Sequence, residues 1–395
     1  MVEIMLWLTL ITGVLIVYHH IGYTILLKLV SRNSLNKPLD HYSRSYKPSN
    51  DDNKLPEIHL IMPAYNEAEN VADKLRNLAA VDYPSDKLKI SLICDGCSDK
   101  TAHIARQVSL ETECQHLNIY IQEKRKNRGK VAIVNEAVSA STSDIIALSD
   151  ISALISIDAL LIAVAHFNDP KIGVVSGSYR LLSPGSAGEE AYWSYQTAIK
   201  MRESATGSTL GVHGAFYLLR RDLFVPLAPD TINDDFILPM QVVAQGYRAV
   251  YEPNIIAVEL EQSTASLDQS RRKRIAAGNV QQVLRLLHLL NPRFKGVAFN
   301  FASGKTLRVL MPFFLLFFLF ASAVLAFEFV AFAFLLVSQL IVYFIAIYRQ
   351  NRLEQPMSKL VETIHYLVSG HYSNLIGACN YLLGKERGFW KRSNI

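Results

Sequence analysis

The sequence predicts an α/β domain with a mostly parallel sheet, flanked by membrane helices towards the N- and C-terminal ends of the chain. Three observations lead to this prediction. Short apolar runs of strand length alternate with amphipathic helical stretches between residues 57 and 176, the pattern of a parallel sheet covered on both faces. Uncharged runs of about 20 residues, long enough to span a bilayer, lie near both ends. Polar residues follow successive predicted strands, where open parallel sheets bind ligands.

The composition narrows the class of protein. The chain has 395 residues, of which 50% are hydrophobic and 19% are charged, and its mean hydropathy is +0.17. These values exclude a disordered chain and argue against a wholly soluble one. The formal net charge is only +5, whereas a nucleic-acid-binding domain carries a strongly basic stripe. We therefore expect no nucleic-acid partner.

The first apolar run predicts an uncleaved membrane anchor. Met5–Leu27 contains 23 residues without a formal charge. A secretory signal peptide is the alternative, but the run is long for a signal core and Glu3 stands where a basic residue is usual. Basic residues follow the run, so the positive-inside rule places the downstream chain in the cytoplasm. These residues are Lys28, Arg32 and Lys37.

Two further spans are predicted near the C-terminus. Val309–Phe327 and Phe329–Tyr348 are uncharged runs of 19 and 20 residues, separated by Glu328. One helix through both runs would be about 60 Å long, about twice the bilayer core, so a turn near Glu328 is expected. The basic residues that flank the pair agree with the orientation of the first anchor. They are Arg308, Arg349 and Arg352.

The segment Thr363–Leu383 is ambiguous, because it mixes apolar residues with histidine and asparagine. Basic residues at both of its ends favour a re-entrant or interfacial helix over a single crossing. They are Lys359, Lys385, Arg387, Lys391 and Arg392. The predicted organisation is an anchor over 1–30, a linker over 31–54, a soluble domain over 55–282, interfacial amphipathic helices over 283–308, two transmembrane helices over 309–348, and a membrane or re-entrant helix with a basic tail over 349–395.

The soluble domain is predicted to alternate strands and helices. The predicted strands are Glu57–Met62, Leu88–Cys94, Leu117–Gln122, Ile145–Leu148 and Ile172–Ser176. The predicted helices are Asn66–Leu78, Asp99–Leu110, Lys130–Ala140 and Ile157–Phe167.

Polar residues interrupt the chain after four of these elements. Pro63-Ala64-Tyr65-Asn66-Glu67 follows the first strand, Asp95-Gly96 the second, Lys130 the third and Asp150 the fourth. Each has an ordinary structural explanation: a loop and N-cap, a plain turn, one member of a solvated basic run, and a helix cap. Their recurrence after successive strands indicates a shared ligand site instead.

In this order the motifs resemble those of the family-2 glycosyltransferases. The motifs are PAYNE, CDGCSDKT, RGKVAIVNEA, LSDIS, GAFYLLRRDLF and NDDFILPMQVVAQGYRAVYEP. The chain is similar in particular to the membrane-anchored branch that contains cellulose, chitin, hyaluronan and poly-N-acetylglucosamine synthases. The resemblance runs from about Pro56 to about Gln282. It implies a GT-A, Rossmann-like nucleotide-diphospho-sugar transferase fold.

The resemblance also implies roles for individual residues. Asp95 would hydrogen-bond the pyrimidine edge of the donor, and Lys130 would lie near its diphosphate. The residues expected to line the nucleotide pocket are Pro63, Tyr65 and Glu67.

Asp150 would hold a Mg²⁺ or Mn²⁺ ion that bridges the phosphates, because hard divalent ions prefer carboxylate and phosphate oxygens. The family usually has Asp-x-Asp at this strand, but this chain has Asp150-Ile151-Ser152. Ser152 is a neutral and weaker ligand. We keep the metal in the prediction, since Mg²⁺ commonly uses only one or two carboxylates together with phosphates.

Asn233-Asp234-Asp235-Phe236 resembles the acidic motif whose second acid is the general base, which assigns that role to Asp235. The alternative is a helix cap, which accounts for only one of the acids.

Arg271 and Arg274 lie where processive members carry Gln-x-x-Arg-Trp, and they share a helical face that could contact a diphosphate. The alternative for this basic segment is a helix facing anionic lipid headgroups.

These expectations define a predicted function. The enzyme would be a metal-dependent, inverting glycosyltransferase of the cytoplasmic membrane, multi-pass, with its catalytic domain facing the cytoplasm. It would use a nucleotide-sugar donor, expected to be a UDP-sugar, and a lipid-linked or polymeric glycan acceptor, and it would contact membrane lipids. Two alternatives remain: a processive polysaccharide synthase that also translocates its product, and a catalytically inactive donor-binding scaffold.

Overall fold

The structure is a computed structural model, and it describes residues 2–32, 46–183, 187–260, 265–352 and 357–385. The chain divides into two compact units. The sheet unit comprises the described residues of 31–183 and 192–260. The helical unit comprises those of 2–30, 187–191 and 265–385. Part of the predicted linker over 31–54 and the predicted tail residues Arg387, Lys391 and Arg392 lie outside the described residues.

The sheet unit contains one eight-stranded sheet. Its strands are β1 (Ile58–Ala64), β2 (Leu88–Asp95), β3 (Asn118–Lys124), β4 (Ile145–Ser149), β5 (Ala153–Ile155), β6 (Ile172–Leu181), β7 (Phe216–Arg220) and β8 (Arg248–Glu259). Across the sheet they lie in the order β3-β2-β1-β4-β7-β6-β8-β5. Four strand pairings are parallel and three are antiparallel, so the sheet is mixed. The antiparallel pairs all involve β5 or β7, two strands that the alternating pattern did not predict.

Buried apolar side chains hold the helices of this unit on the sheet. Its full-length helices are α3 (Val71–Ala79), α4 (Thr101–Val108), α5 (Lys130–Ala140), α6 (Ala159–His166) and α8 (Asp234–Ala244), while α7 (Ala187–Ala205) has its first residues in the helical unit. Helices α3, α4 and α6 share one core with β1, β2 and β4, built from residues such as Leu60, Leu75 and Leu92. Helices α5 and α8 bury their apolar residues outside this core. Helix α3, the first helix of the sheet unit, begins at Val71 and not at Asn66 as predicted. Asn66 takes a left-handed φ of 57° and forms a turn instead.

The parallel strands β1, β2 and β4 end together. The register pairs Ala64 with Cys94 across β1 and β2, and Ile61 with Leu148 across β1 and β4. The residues that follow these strands therefore meet at one edge of the sheet, which we call the carboxyl edge. This register brings the predicted polar interruptions together.

The helical unit contains three helical stretches long and apolar enough to cross a membrane, Val2–Ser31, Gly296–Leu325 and Val330–Gln350. Their component helices are α1 (Val2–Val17), α2 (Tyr23–Ser31), α10 (Gly296–Asn300), α11 (Leu307–Leu325) and α12 (Val330–Gln350), and the unit also holds α9 (Ala265–Arg285) and α13 (Lys359–Leu382). A turn at 326–329, around Glu328, separates α11 from α12.

Two features of this unit refine the predicted segments. The stretch Gly296–Leu325 is continuous through a π-helical turn at Phe301–Thr306, so the expected boundary between residues 308 and 309 falls inside it. Helix α13 is one unbroken helix that crosses α9 closely, because Gly377 leaves room for the backbone of Lys273. Its interfacial placement in the membrane stays a prediction.

Candidate functional site

Asp95 forms the first part of the site, at the end of β2. The residue is fully buried, and its Oδ2 accepts hydrogen bonds from the backbone N–H groups of Arg128 (2.9 Å) and Gly129 (2.7 Å). Gly129 adopts a φ of +88°, which favours glycine. The other oxygen, Oδ1, is buried and has no hydrogen-bond partner among the residues that the structure describes. A buried carboxylate oxygen without a donor is costly, so Oδ1 is available to a ligand N–H group.

The two loops beside Asp95 are bonded to each other. Asn66 Oδ1 accepts hydrogen bonds from the backbone N–H (2.8 Å) and the hydroxyl (3.3 Å) of Ser98. The backbone N–H of Ala68 donates to Asp99 Oδ2 at 3.0 Å. The loop after β1 and the loop after β2 therefore form one wall.

Three residues predicted to line the nucleotide pocket lie in or beside this wall. Pro63 is buried at the second-last position of strand β1, and Tyr65, the residue after the strand, is partly exposed. Glu67 is buried, its N–H donates to Thr101 Oγ1 (2.8 Å), and its Oε2 accepts from Asn70 Nδ2 (3.1 Å). These bonds of Glu67 shape its own loop. The contact of all three residues with a donor remains a prediction.

Lys130 and three carboxylates form the second part of the site. Lys130 begins α5, and its Nζ lies 2.7 Å from Asp150 Oδ1 and 3.7 Å from Asp234 Oδ2. Burial alone would lower the pKa of Lys130, but the charges of Asp150, Asp234 and Asp235 outweigh burial and raise it above its ordinary value. The lysine therefore stays protonated. One ammonium faces three carboxylates, so the cluster has spare negative charge.

Gly214 separates Asp235 from Asp150. A Cβ atom placed on Gly214 would lie 3.4 Å from Asp235 Oδ2 and 3.7 Å from Asp150 Oδ2. The carboxylates thus face a common gap. Asp235 lies in the first turn of α8, where the helix dipole favours a negative charge. The sequence-predicted base and metal ligand therefore come together at the carboxyl edge.

The residues around Asp150 are suited to a divalent ion that arrives with phosphates. Within the described part of the chain, no three histidine, cysteine, aspartate or glutamate side chains are arranged to hold an ion by themselves. Mg²⁺ usually takes one or two carboxylates and completes its shell with phosphate and water oxygens. Asp150 has carboxylate oxygens of the kind that hard divalent ions prefer and is about one third exposed, and Ser152, two residues on, is also partly exposed. The spare negative charge of the cluster also favours a cation.

Lys74 is a residue that the sequence interpretation missed. It is completely buried on α3, and its Nζ donates to Ser149 Oγ (2.7 Å) and to the carbonyl of Ala153. These two acceptors bracket the turn that carries Asp150. Burial lowers the pKa of Lys74 from 10.5 to about 7, although the charges of Asp150 and Glu259 oppose this shift. A lysine in an apolar helical face gives no local signal of such a role, because its acceptors are distant in sequence.

Tyr217 is a second residue that the sequence did not single out. It is buried on β7, and its hydroxyl has no hydrogen-bond partner among the described residues. Burial and the charges of Asp234, Asp235 and Asp150 raise the pKa of Tyr217 well above its ordinary value. Its hydroxyl therefore remains a donor beside the acidic cluster.

Three aromatic rings, one of them on the residue that precedes Gly214, pack together. His213 precedes Gly214 and stacks on Tyr179, with ring centroids 3.6 Å apart and planes inclined by 16°. The Trp193 ring is tilted by 59° against Tyr179, at a centroid distance of 4.6 Å, and it meets His213 edge-on at 5.1 Å. The backbone N–H of Ala215 donates to His213 Nδ1 at 3.3 Å, so the proton of the neutral ring is on Nε2. We call these three rings the aromatic cluster.

Arg271 and Arg274 belong to the helical unit. Both are exposed on α9, three residues apart on one face. Their predicted contact with the donor diphosphate, and the alternative contact with lipid headgroups, both remain predictions.

Comparisons with known proteins agree with this fold. The family model described as "Glycosyltransferase like family 2" matches residues 56–278. Poly-beta-1,6-N-acetyl-D-glucosamine synthases from Staphylococcus aureus and Staphylococcus epidermidis are 27% and 25% identical to the chain over 252 residues. The match covers 62% of this chain and spans only 60% of the length of each of these relatives.

A solved structure shows the same fold. The mannosyltransferase PcManGT from Pyrobaculum calidifontis, in complex with GDP-Man and Mn²⁺, superimposes with a TM-score of 0.72 at 24% sequence identity. The likeness covers 96% of this chain and 100% of that chain. The α/β fold with flanking membrane-length helices, predicted from the sequence, is thereby confirmed.

Replacing Lys74 by methionine tests the environment of the buried ammonium. Between pH 7 and pH 10.5 the unfolded chain keeps a proton on Lys74 that the folded chain releases. Stability of the wild type should therefore rise with pH in this window, by at most about 1.4 kcal/mol per pH unit from this group. Thermal unfolding of wild type and Lys74→Met at pH 7, 8 and 9 measures the difference. Parallel pH profiles for the two proteins would contradict the assignment.

Proposed function

Since the chain belongs to glycosyltransferase family 2, we propose that it transfers a sugar from a nucleotide-diphosphate donor to a lipid-linked or growing cell-envelope glycan. The observation that carries this proposal is the convergence of Lys130, Asp150, Asp234 and Asp235 at the carboxyl edge. This cluster supplies a cation, metal-type oxygen ligands and a candidate base at a single gap. An inactive scaffold would have no need of that combination.

The Asp95 pocket supports recognition of the base of the donor. Asp95 Oδ1 is the acceptor that a pyrimidine N–H group requires, and two backbone N–H groups keep the carboxylate in place through Oδ2. A guanine base presents N–H donors as well. The structural neighbour PcManGT is in complex with GDP-Man. A uridine nucleotide is the first candidate for this chain, because Asp95 is predicted to bind a pyrimidine edge, and a guanosine nucleotide is the second.

The acidic cluster supports an inverting displacement. Asp235 accepts the proton of the acceptor hydroxyl as that oxygen attacks the anomeric carbon. Lys130 binds the departing diphosphate, because its raised pKa keeps it charged. A Mg²⁺ or Mn²⁺ ion held by Asp150, with Ser152 nearby, would neutralise charge on the leaving phosphates. Gly214 brings no side chain between the proposed base and the proposed metal ligand.

The aromatic cluster supports a sugar acceptor. Aromatic faces bury the apolar C–H surface of a pyranose. His213 is adjacent in sequence to Gly214, which adjoins Asp235 Oδ2. An acceptor sugar on this cluster would therefore lie beside the base.

The helical unit supports placement in the cytoplasmic membrane. Nucleotide sugars are made in the cytosol, so the carboxyl edge must face that compartment. Lys28, Arg308 and Arg349 lie within the three membrane-length stretches, each next to the side that the positive-inside rule predicts to be cytoplasmic.

A second candidate function is processive synthesis of a polysaccharide. The names of the staphylococcal relatives, poly-beta-1,6-N-acetyl-D-glucosamine synthases, favour it. The absence of tryptophan at the acceptor motif, where Ile275 stands, favours transfer of one or a few sugars. Product length separates the two functions, because a processive enzyme yields long chains from the first turnovers.

A donor panel tests the proposed function. Membranes that contain the protein are incubated with radiolabelled UDP-N-acetylglucosamine, UDP-glucose and GDP-mannose, and label is followed into lipid and polymer fractions. We expect one donor to label the lipid or polymer fraction well above membranes that lack the protein. Absence of transfer from every nucleotide sugar would contradict the proposal.

Asp235→Asn is expected to lower transfer by about 100-fold or more, because an amide cannot accept the proton. Donor binding, measured by calorimetry, should stay within a few-fold of wild type. Asp222→Asn, at an exposed aspartate just after β7, is the matched control and should retain full activity. Activity of Asp235→Asn within a few-fold of wild type would exclude Asp235 as the base.

Removal of divalent metal is expected to abolish transfer, and Mg²⁺ or Mn²⁺ should restore it. Ser152→Asp adds a charged hard ligand, so it should lower the Mn²⁺ concentration needed for half-maximal activity. Direct Mn²⁺ binding, followed by electron paramagnetic resonance with the donor present, should tighten in the same variant. Full activity in excess chelator would remove the metal from the mechanism.

A further inference from the structure

A second group of polar side chains lies in the helical unit. Within this unit, α1 and α2 pack beside α10 and α11, and α13 contributes one further residue. We call this group the histidine cluster; its members are His19, His20, Ser303, Arg308 and His371. Ionisable residues within membrane-length helices are rare, and they usually mark a function.

Two of the membrane-length stretches, Val2–Ser31 and Gly296–Leu325, each contain a π-helical turn beside the histidine cluster. The first has a π-helical turn at Tyr18–Gly22 and the other at Phe301–Thr306. Tyr18 Oη lies 2.8 Å from Ser303 Oγ, and the Tyr23 hydroxyl lies 3.1 Å from the place that a Cβ on Gly304 would take. The two irregular turns therefore face each other. Such π-turns are frequent at functional sites.

Backbone carbonyls determine which nitrogens carry protons. His19 Nδ1 lies 3.1 Å from Ser303 O, and His20 Nδ1 lies 2.8 Å from Ile16 O. A carbonyl oxygen can only accept, so both rings carry a proton on Nδ1. In the neutral rings His20 Nε2 is then an acceptor, and His371 Nε2, at 2.9 Å, is its donor. His371 Nδ1 is left with a bare lone pair, buried and without a partner among the described residues.

The cluster lies next to Arg308, at the charged end of the uncharged segment 309–325. The two helices are antiparallel here, because Gly13 adjoins the ring of Phe318 while Tyr18 bonds to Ser303. Residues 5–17 and 309–325 are uncharged on one side of the cluster, and Lys28 follows on the other. The segment 309–325 is long enough to cross most of a hydrocarbon core, so Arg308 at its end is expected near the depth of lipid phosphate groups.

The charges around the cluster are positive. Arg308 is close enough for its charge to act on both His19 and His371. The described side chains of the helical unit include three carboxylates. Glu3 and Glu328 lie at the opposite end of these helices, and Glu362 bonds Arg349 at 2.8 Å.

We propose that the histidine cluster binds the phosphate monoester headgroup of a membrane lipid. A monoester carries a P–O⁻ group for Arg308 and a P–O–H group whose proton is shared with His371 Nδ1. A phosphodiester has the charge but no O–H group, so it leaves His371 Nδ1 without a donor. The three histidine rings are partly exposed, so a headgroup can approach them, and the buried His371 Nδ1 is uncovered by a small rotation of its ring when the headgroup binds. This site is independent of sugar transfer.

Native mass spectrometry of the purified full-length protein in detergent tests the site. The probes are dioleoyl phosphatidic acid, a monoester, and dioleoyl phosphatidylmethanol, a diester with the same acyl chains and no hydroxyl group. We expect phosphatidic acid to bind at least about ten-fold more tightly. Arg308→Gln and His371→Leu should each reduce its affinity by about ten-fold. Arg352→Gln is the control, because Arg352 is exposed and stacks on Tyr348, and it should bind phosphatidic acid like wild type.

Three outcomes would overturn the proposal. Equal affinity for the two lipids would exclude recognition of a monoester. Equal loss of affinity in Arg308→Gln and in Arg352→Gln would reduce the effect to general surface charge. Displacement of phosphatidic acid by millimolar inorganic phosphate would assign the site to free phosphate. Thermal unfolding checks that each variant is folded, and Arg308→Gln alone decides the test if His371→Leu is not.

Discussion

The carboxyl edge depends on the single ammonium group of Lys130. This group begins α5, bonds the residue that follows β4 and faces the first turn of α8. Three elements distant in sequence are therefore joined by one charge. Without it Asp150, Asp234 and Asp235 would repel one another at close range in a partly buried site. The mixed sheet, with β7 inserted antiparallel beside β4, places Gly214 where these carboxylates meet.

Much of this edge could be predicted from sequence, because its residues follow strands whose apolar runs are easy to identify. Asp95, Lys130 and Asp150 are examples, since the parallel register brings them together. Lys74 and Tyr217 could not be predicted in this way. Lys74 bonds acceptors 75 residues or more away, and Tyr217 lies on a strand that interrupts the alternating pattern. Burial, which decides both roles, depends on tertiary packing.

The helical unit shows a different limit of sequence interpretation. Hydropathy predicted the apolar runs, but it began the second run after the charged Arg308, three residues beyond Lys305. The structure continues the helix through both residues, and Lys305 Nζ reaches Gln282 Oε1 at 3.5 Å. Long basic side chains can lie at such a depth when polar partners are available. Charge alone therefore does not end a helix of this kind.

The gap at Gly214 has a consequence for inhibitor chemistry. Its volume is set by the missing side chain, since even a methyl group there would contact both Asp235 and Asp150. A compound with a small cationic centre, such as a protonated ring nitrogen in an iminosugar, would place its charge between two fixed anions in this gap. Its affinity would then depend more on the position of that charge than on the identity of the sugar it imitates.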